Sequence, residues 1–369
     1  MFKPKQLTLI LATALLLGAC GNNDDLLPDV DNPQQQVPLP IITAQIGGED
    51  DTRAGVVTDN ENYAKGERFR WNTNDKVTMY FYQGDDAKYT VTYVAASIDA
   101  TNPNLCTFTP KEDDTVTSIA EGMYEVVGLY AITFTAPTEN NMGNLRQAGN
   151  NSSSHLSGQL PMKGKAVLNA SATAAPTALS MRFNHLSSVV RYVVTNNAGN
   201  ADLKVSSIDL TSSTAPFAVR TYLFDKDAQA LTLSSKGVHN ILSVTDGAFS
   251  ATDNTFHGFT RVVTGSEAIT DLTVYVTLNN NDKPTLLSYI IPPASLTNVL
   301  GQGFKPGHSY YFRLNINSAG LVVSSISEWA GTEDKAIEGE LYTRYSVGDY
   351  YPNPTPFAPS FHSNLFLAI

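Results

Sequence analysis

Alternation of apolar and polar residues with a period of two runs through most of this chain, and it constrains the fold more than any other feature. Val77, Met79 and Phe81 fall on one side of an extended segment, and Thr78, Tyr80 and Tyr82 on the other. Leu272, Val274, Val276 and Leu278 interleave with Thr273, Tyr275 and Thr277, and Tyr310, Phe312, Leu314 and Ile316 with Tyr311, Arg313 and Asn315. Successive side chains of a strand point to opposite faces, so such runs are half-buried strands. Turn-forming clusters such as Gly84-Asp85-Asp86 and Asn279-Asn280-Asn281-Asp282 separate them. No long stretch carries helical spacing. The pattern predicts an all-β chain of two tandem Greek-key β-sandwiches.

The N-terminus reads differently. Lys3 and Lys5 precede an apolar run from Leu7 to Leu17, the order of a secretory signal peptide, and the run is too short to span a bilayer. Leu17-Gly18-Ala19-Cys20 resembles the bacterial lipobox, in which the chain is cut before the cysteine and the thiol is diacylated. Residues 1–19 are thus expected to leave, with cleavage between Ala19 and Cys20 and the lipid on Cys20 holding the protein to the outer membrane. Residues 20–40, rich in Asp, Asn, Pro and Gln, are too polar to pack and form a flexible tether. The acidic opening Gly21-Asn22-Asn23-Asp24-Asp25 is similar to an export signal that sends lipoproteins to the cell's outer face.

The formal net charge is -11, and losing residues 1–19 removes two lysines and no acid. So acidic a surface repels nucleic acid. Cys106 has no partner once Cys20 is acylated, so it is expected to be a small buried residue and not a reactive thiol. Two joints are expected: an exposed polar loop over residues 138–159, and a boundary over residues 170–176, where small residues end in proline. The domains are accordingly 41–176 and 177–342, followed by a tail over 343–369.

Catalytic and metal chemistry is not written in the chain. The six histidines lack metal-ligand spacing, and there is no C-x-x-C or G-x-S-x-G. Gly301 to Gly307 lacks the Gly-Lys-Ser/Thr ending of a phosphate loop and precedes a strand, so it is read as a turn. No enzyme activity, cofactor or metal is expected.

The order of several short pieces resembles the fimbrillins, or type V pilins, of Bacteroidetes. After lipobox and tether come a first strand over residues 41–46, Thr52-Arg53-Ala54, and Trp71-Asn72-Thr73-Asn74-Asp75-Lys76-Val77 leading into a strand. Gly122-Met123-Tyr124 and Met181-Arg182-Phe183-Asn184-His185 follow, then Phe304-Lys305-Pro306-Gly307-His308-Ser309-Tyr310, and a closing stretch from Gly320 to Trp329. The resemblance implies transthyretin-like domains and a surface pilus role supporting adhesion. It also implies that an arginine-specific protease cuts between Arg53 and Ala54, that the first strand leaves, and that the groove accepts a strand of a neighbouring subunit. Partners would then be other pilin subunits, membrane lipid through Cys20, and surface ligands of host or bacterium. Trp71 should cap one end of the first domain, with Asp75 in the adjoining turn. Phe183, His185, Pro306, Gly307 and Trp329 are expected to serve the structure, with His185 hydrogen-bonded at the start of the second domain's first strand.

The tail has two readings. Leu365-Phe366-Leu367-Ala368-Ile369 could be a donor strand, or the proline-rich run before it could mark a truncated extra segment. A second function class also stays open: a surface glycan-binding lipoprotein of an uptake system, using Tyr63, Tyr89, Tyr93 and Tyr222 as an aromatic platform.

Overall fold

The structure, a computed structural model, describes residues 35–47, 70–102, 104–132, 145–173, 178–213, 221–234, 239–263, 268–329, 334–337 and 343–346. Two short strands, β1 (Gln36–Pro38) and β2 (Ile42–Ile46), come first. They are followed by β3 (Lys76–Gln83), β4 (Asp86–Ile98), β5 (Leu105–Pro110), β6 (Ser118–Ala120) and β7 (Gly122–Tyr130). After β8 (Leu145–Ala148) come β9 (Met162–Ala170) and β10 (Leu179–His185).

Seven of these strands close into a barrel in the order β10-β2-β5-β4-β3-β7-β9, while β1 pairs with β6 as a separate ribbon. The all-β expectation holds, but the first unit is a barrel where a sandwich was expected. Alternation is common to both architectures, since it reports one buried face and not how the sheet ends meet. What closes the ring is β2, antiparallel to β5 and parallel to β10. Val77, Met79, Phe81, Val91, Phe108 and Phe183 fill the interior.

The wall thins where Gly128 on β7 faces Gly164 on β9. A Cβ on Gly128 would lie 2.7 Å from both Met181 Sδ and Phe183 Cζ, and one on Gly164 would lie 2.8 Å from Met181 Cγ and 2.9 Å from the Arg182 carbonyl oxygen. The two glycines make room for β10.

The second unit contains β11 (Ser187–Asn196), β12 (Leu203–Thr211), β13 (Thr221–Asp225), β14 (Ala230–Ser234), β15 (His239–Ala248) and β16 (Thr255–Val263). It continues with β17 (Leu272–Asn280), β18 (Lys283–Ile291), helix α1 (Pro293–Leu300), β19 (Ser309–Asn317), β20 (Gly320–Trp329), β21 (Asp334–Ile337) and β22 (Thr343–Ser346). A five-stranded sheet, β16-β11-β19-β20-β21, and a six-stranded sheet, β22-β18-β17-β12-β15-β8, contribute to one apolar core. Tyr192, Ile208, Leu242, Val276, Phe312 and Leu314 are among its buried residues. The short helix interrupts an otherwise β unit, with Leu296, Val299 and Leu300 buried in that core.

Three expectations about organisation are corrected here. The strand β10 belongs to the barrel and β11 to the five-stranded sheet, so the chain crosses over at Leu186 and not at 176. The polar stretch read as an exposed loop over 138–159 supplies β8 to the six-stranded sheet, with Leu156 buried behind it. The tail expected from 343 begins inside that same sheet, since β22 pairs with β18.

The units are also clasped together. The β13–β14 hairpin buries Phe224 in one apolar cluster with Tyr80, Tyr82, Val127 and Leu129 of the barrel. Tyr82 Oη donates to the Lys226 carbonyl at 2.9 Å, and Tyr222 Oη to the Leu186 carbonyl at 3.2 Å.

Candidate functional site: the closing strand of the barrel

The strand β2 is short, yet it is paired on both sides. Ile42 lies opposite Phe108 of β5 and Leu179 of β10, and Ala44 opposite Cys106 and Met181. Ile42, Ala44 and Ile46 are all buried in the core. The flexible tether expected over residues 20–40 is corrected at its end, where β1 pairs with β6, Val37 and Leu39 are buried, and Tyr93 Oη donates to the Pro40 carbonyl at 3.0 Å. At the far end Gly47 N donates to the Phe183 carbonyl at 3.1 Å, and Arg182 Nε donates to the Gly47 carbonyl at 3.0 Å. A strand without which the ring would have two open edges is thus held by backbone pairing on both flanks and by apolar side chains at alternate positions.

Trp71 is the keystone at the end of the barrel that β2 runs toward. Only 1 % of it is exposed, and it meets Phe108, Tyr130 and Phe183 edge-on at centroid distances of 4.9, 5.4 and 5.5 Å. The turn after it is built as its residues suggest: Asn72 N donates to Asp75 Oδ2 at 2.7 Å, and Asn74 takes the left-handed conformation at φ 73°. Tyr130 Oη donates to Asp75 Oδ1 at 2.9 Å. Burial raises the Asp75 carboxyl above its ordinary value, outweighing these hydrogen bonds.

A cleft of about 610 Å³ opens beside this turn, with Ile46, Trp71, Asp75, Tyr130 and His185 in its wall. His185 closes β10 and is buried, and burial drives its imidazole down to about 3, so the ring is neutral and not poised for proton transfer. It stands at the end of the barrel and not at the start of the second unit's first strand. The Pro306-Gly307 turn supports the same crossing: Gly307, at φ 80°, donates its N–H to the Ser187 carbonyl at 2.9 Å. Trp71, Asp75, Phe183, His185, Pro306 and Gly307 therefore gather near one end of the barrel. Trp329 ends β20, opposite Ser309, two residues beyond Gly307.

Ala19, Cys20, Arg53, Ala54, Tyr63 and residues 347–369 lie outside the described residues. The aromatic platform expected for a glycan is corrected by the packing of its other members. Tyr93 is fully buried, Tyr89 Oη accepts the Ala120 N–H at 3.0 Å, and Tyr222 belongs to the hairpin clasp. Cys106 is buried, and burial pushes its thiol up to about 12. Among the described residues no three His, Cys, Asp or Glu side chains gather as a metal site, and no helix is long and apolar enough to cross a membrane.

No family model matches the chain, and no curated protein does. Among solved structures it is similar to a candidate cell adhesion protein from Bacteroides ovatus, at 10% identity and a TM-score of 0.48, covering 83% of this chain and 99% of that one. It is similar to a fimbrial assembly protein from Parabacteroides distasonis, at 9% identity and a TM-score of 0.41, covering 82% of this chain and 100% of that one. A third is the fimbrial anchor protein Mfa2 from Porphyromonas gingivalis, at 10% identity and a TM-score of 0.36, covering 82% of this chain and 99% of that one.

Proposed function

We propose that this chain is a surface subunit or anchor of a pilus, held by lipid on Cys20 and joined to its neighbours by exchange of the strand that closes its barrel. The supporting observation is β2 itself, buried, paired on both flanks, and followed by the stretch that carries Arg53. Cutting after Arg53 would separate residues 20–53, with β1 and β2, from the remainder of the barrel. Departure of β2 would expose the facing edges of β5 and β10 and the apolar sites of Ile42, Ala44 and Ile46. An extended strand with apolar residues at every second position meets both needs, and the C-terminal Leu365–Ile369 stretch of a neighbour is the candidate. No catalysis is assigned to the chain.

The test uses the mature, lipid-free chain and an arginine-specific protease, followed by mass spectrometry and sizing. Cleavage after Arg53, loss of residues 20–53 and growth of oligomers are expected. Removal of 347–369 should stop oligomer growth without stopping cleavage. A chain that is cut, loses its first strand and stays monomeric refutes strand exchange. Resistance to the protease together with polysaccharide binding would favour the glycan-binding class instead.

A further inference from the structure

A second sheet edge is treated in the opposite way to the barrel groove. The five-stranded sheet ends at β16, which pairs with β11 on one flank. On its other flank, backbone groups of Thr255, His257, Phe259 and Arg261 are taken mostly by side chains, with two backbone bonds beside them: Asn151 N donates to the His257 carbonyl at 3.1 Å and Ser250 N to the Thr255 carbonyl at 2.8 Å. Asn150 Nδ2 donates to the Thr255 carbonyl at 2.7 Å, while its Oδ1 accepts the His257 N–H at 2.8 Å. Gln147 Nε2 donates to the His257 carbonyl at 2.7 Å, while its Oε1 accepts the Phe259 N–H at 2.9 Å. Each amide bridges the carbonyl of one residue and the N–H of the residue two further on, as the peptide groups of an adjacent strand would. His155 Nε2 donates to the Phe259 carbonyl at 2.7 Å, and Asn240 Nδ2 to the Arg261 carbonyl at 2.9 Å.

These groups are held firmly. Gln147 is 0% exposed and lies on β8, which pairs in parallel with β15 of the opposite sheet. Without them β16 would be a nine-residue edge with Phe256, Phe259, Val262 and Val263 buried along it, no proline, and Arg261 as its single cation. Long, apolar, weakly charged edges of this kind pair with one another. Antiparallel pairing of the same strand from two copies is self-complementary and closes on a two-fold axis.

We propose that Gln147 and Asn150 form a side-chain seal that prevents β16 from pairing edge to edge with the β16 of a second copy of this chain. The seal replaces a neighbouring strand's hydrogen bonds chiefly with these two amides, which alone take up the His257 and Phe259 N–H groups that an incoming strand would need. It is independent of whether β2 is exchanged.

Sedimentation of the uncut mature chain over a range of concentrations tests this, comparing the wild type with Gln147→Ala/Asn150→Ala. The double variant is expected to dimerise at least tenfold more tightly than the wild type. Adding Thr255→Lys, a charge on the same edge, is expected to restore the monomer. A folded double variant that stays monomeric overturns the proposal, as does a dimer that Thr255→Lys leaves intact. Should the double variant not fold, hydrogen exchange of the wild type decides. The His257 and Phe259 amides must exchange as slowly as those inside β11, and rapid, edge-like exchange overturns the seal.

Discussion

Acidification should weaken this protein through His185 in a way that one substitution isolates. The ring is buried at the crossing between barrel and sandwich, and its folded value is drawn down to about 3 from 6.5. In the unfolded chain it takes a proton near pH 6.5, whereas in the folded chain it stays neutral until far lower. Stability contributed by the neutral ring is therefore complete above about pH 6.5 and falls as the pH drops toward 3. Near pH 4.5 the unfolded ring is almost fully protonated and the folded ring almost fully neutral. Two pH units at about 1.4 kcal/mol each then give a loss of roughly 3 kcal/mol from this residue. His185→Leu keeps an apolar group of similar bulk and abolishes the proton linkage. Urea unfolding at pH 7 and pH 4.5, followed by the fluorescence of buried Trp71, measures both proteins. His257, drawn down to about 4 by burial and by the neighbouring Arg191, destabilises both alike. The wild type should lose roughly 3 kcal/mol more than the variant over this interval. Equal losses would show that His185 is not held neutral and would refute the reasoning.

Two further outcomes follow from packing. Gly164→Ala places a methyl group 2.9 Å from the Arg182 carbonyl, a backbone atom that cannot swing aside, so β10 must shift; thermal unfolding should report a loss of about 1–3 kcal/mol. Phe224→Ala empties the apolar centre of the β13–β14 clasp. Limited proteolysis should then cut the hairpin first, while the amides of β17 in the sandwich core keep their exchange rates.

Alternation made the strands legible, because a half-buried strand must present apolar residues at every second position. It left the closure of the barrel illegible, because that depends on β2 reaching β10 across more than a hundred residues. The boundary expected over residues 170–176 was misplaced for a related reason: β10 and β11 both carry buried apolar residues and only Leu186 separates them, so the crossing carries no composition change. The Trp71 turn was readable because Asn74 and Asp75 act locally. The seal on β16 was missed because Gln147 and Asn150 sit in a polar, aperiodic stretch whose partners lie over a hundred residues away. Polar amides in such a stretch look like solvated loop until the edge they face is known.

The direction of β2 has a geometric consequence for any assembly it supports. β2 runs parallel to β10, and its last residues lie beside Phe183, on the side where the chain enters the sandwich. A strand that replaces β2 in the same sense would end at that side and enter from the opposite mouth of the barrel. The body of its parent molecule would then stand beyond that mouth, away from the recipient's sandwich. The groove of one copy would then meet the strand of the next, a contact between unlike surfaces that repeats head to tail. A fibre built this way would have two unlike ends, one presenting a groove and the other a strand.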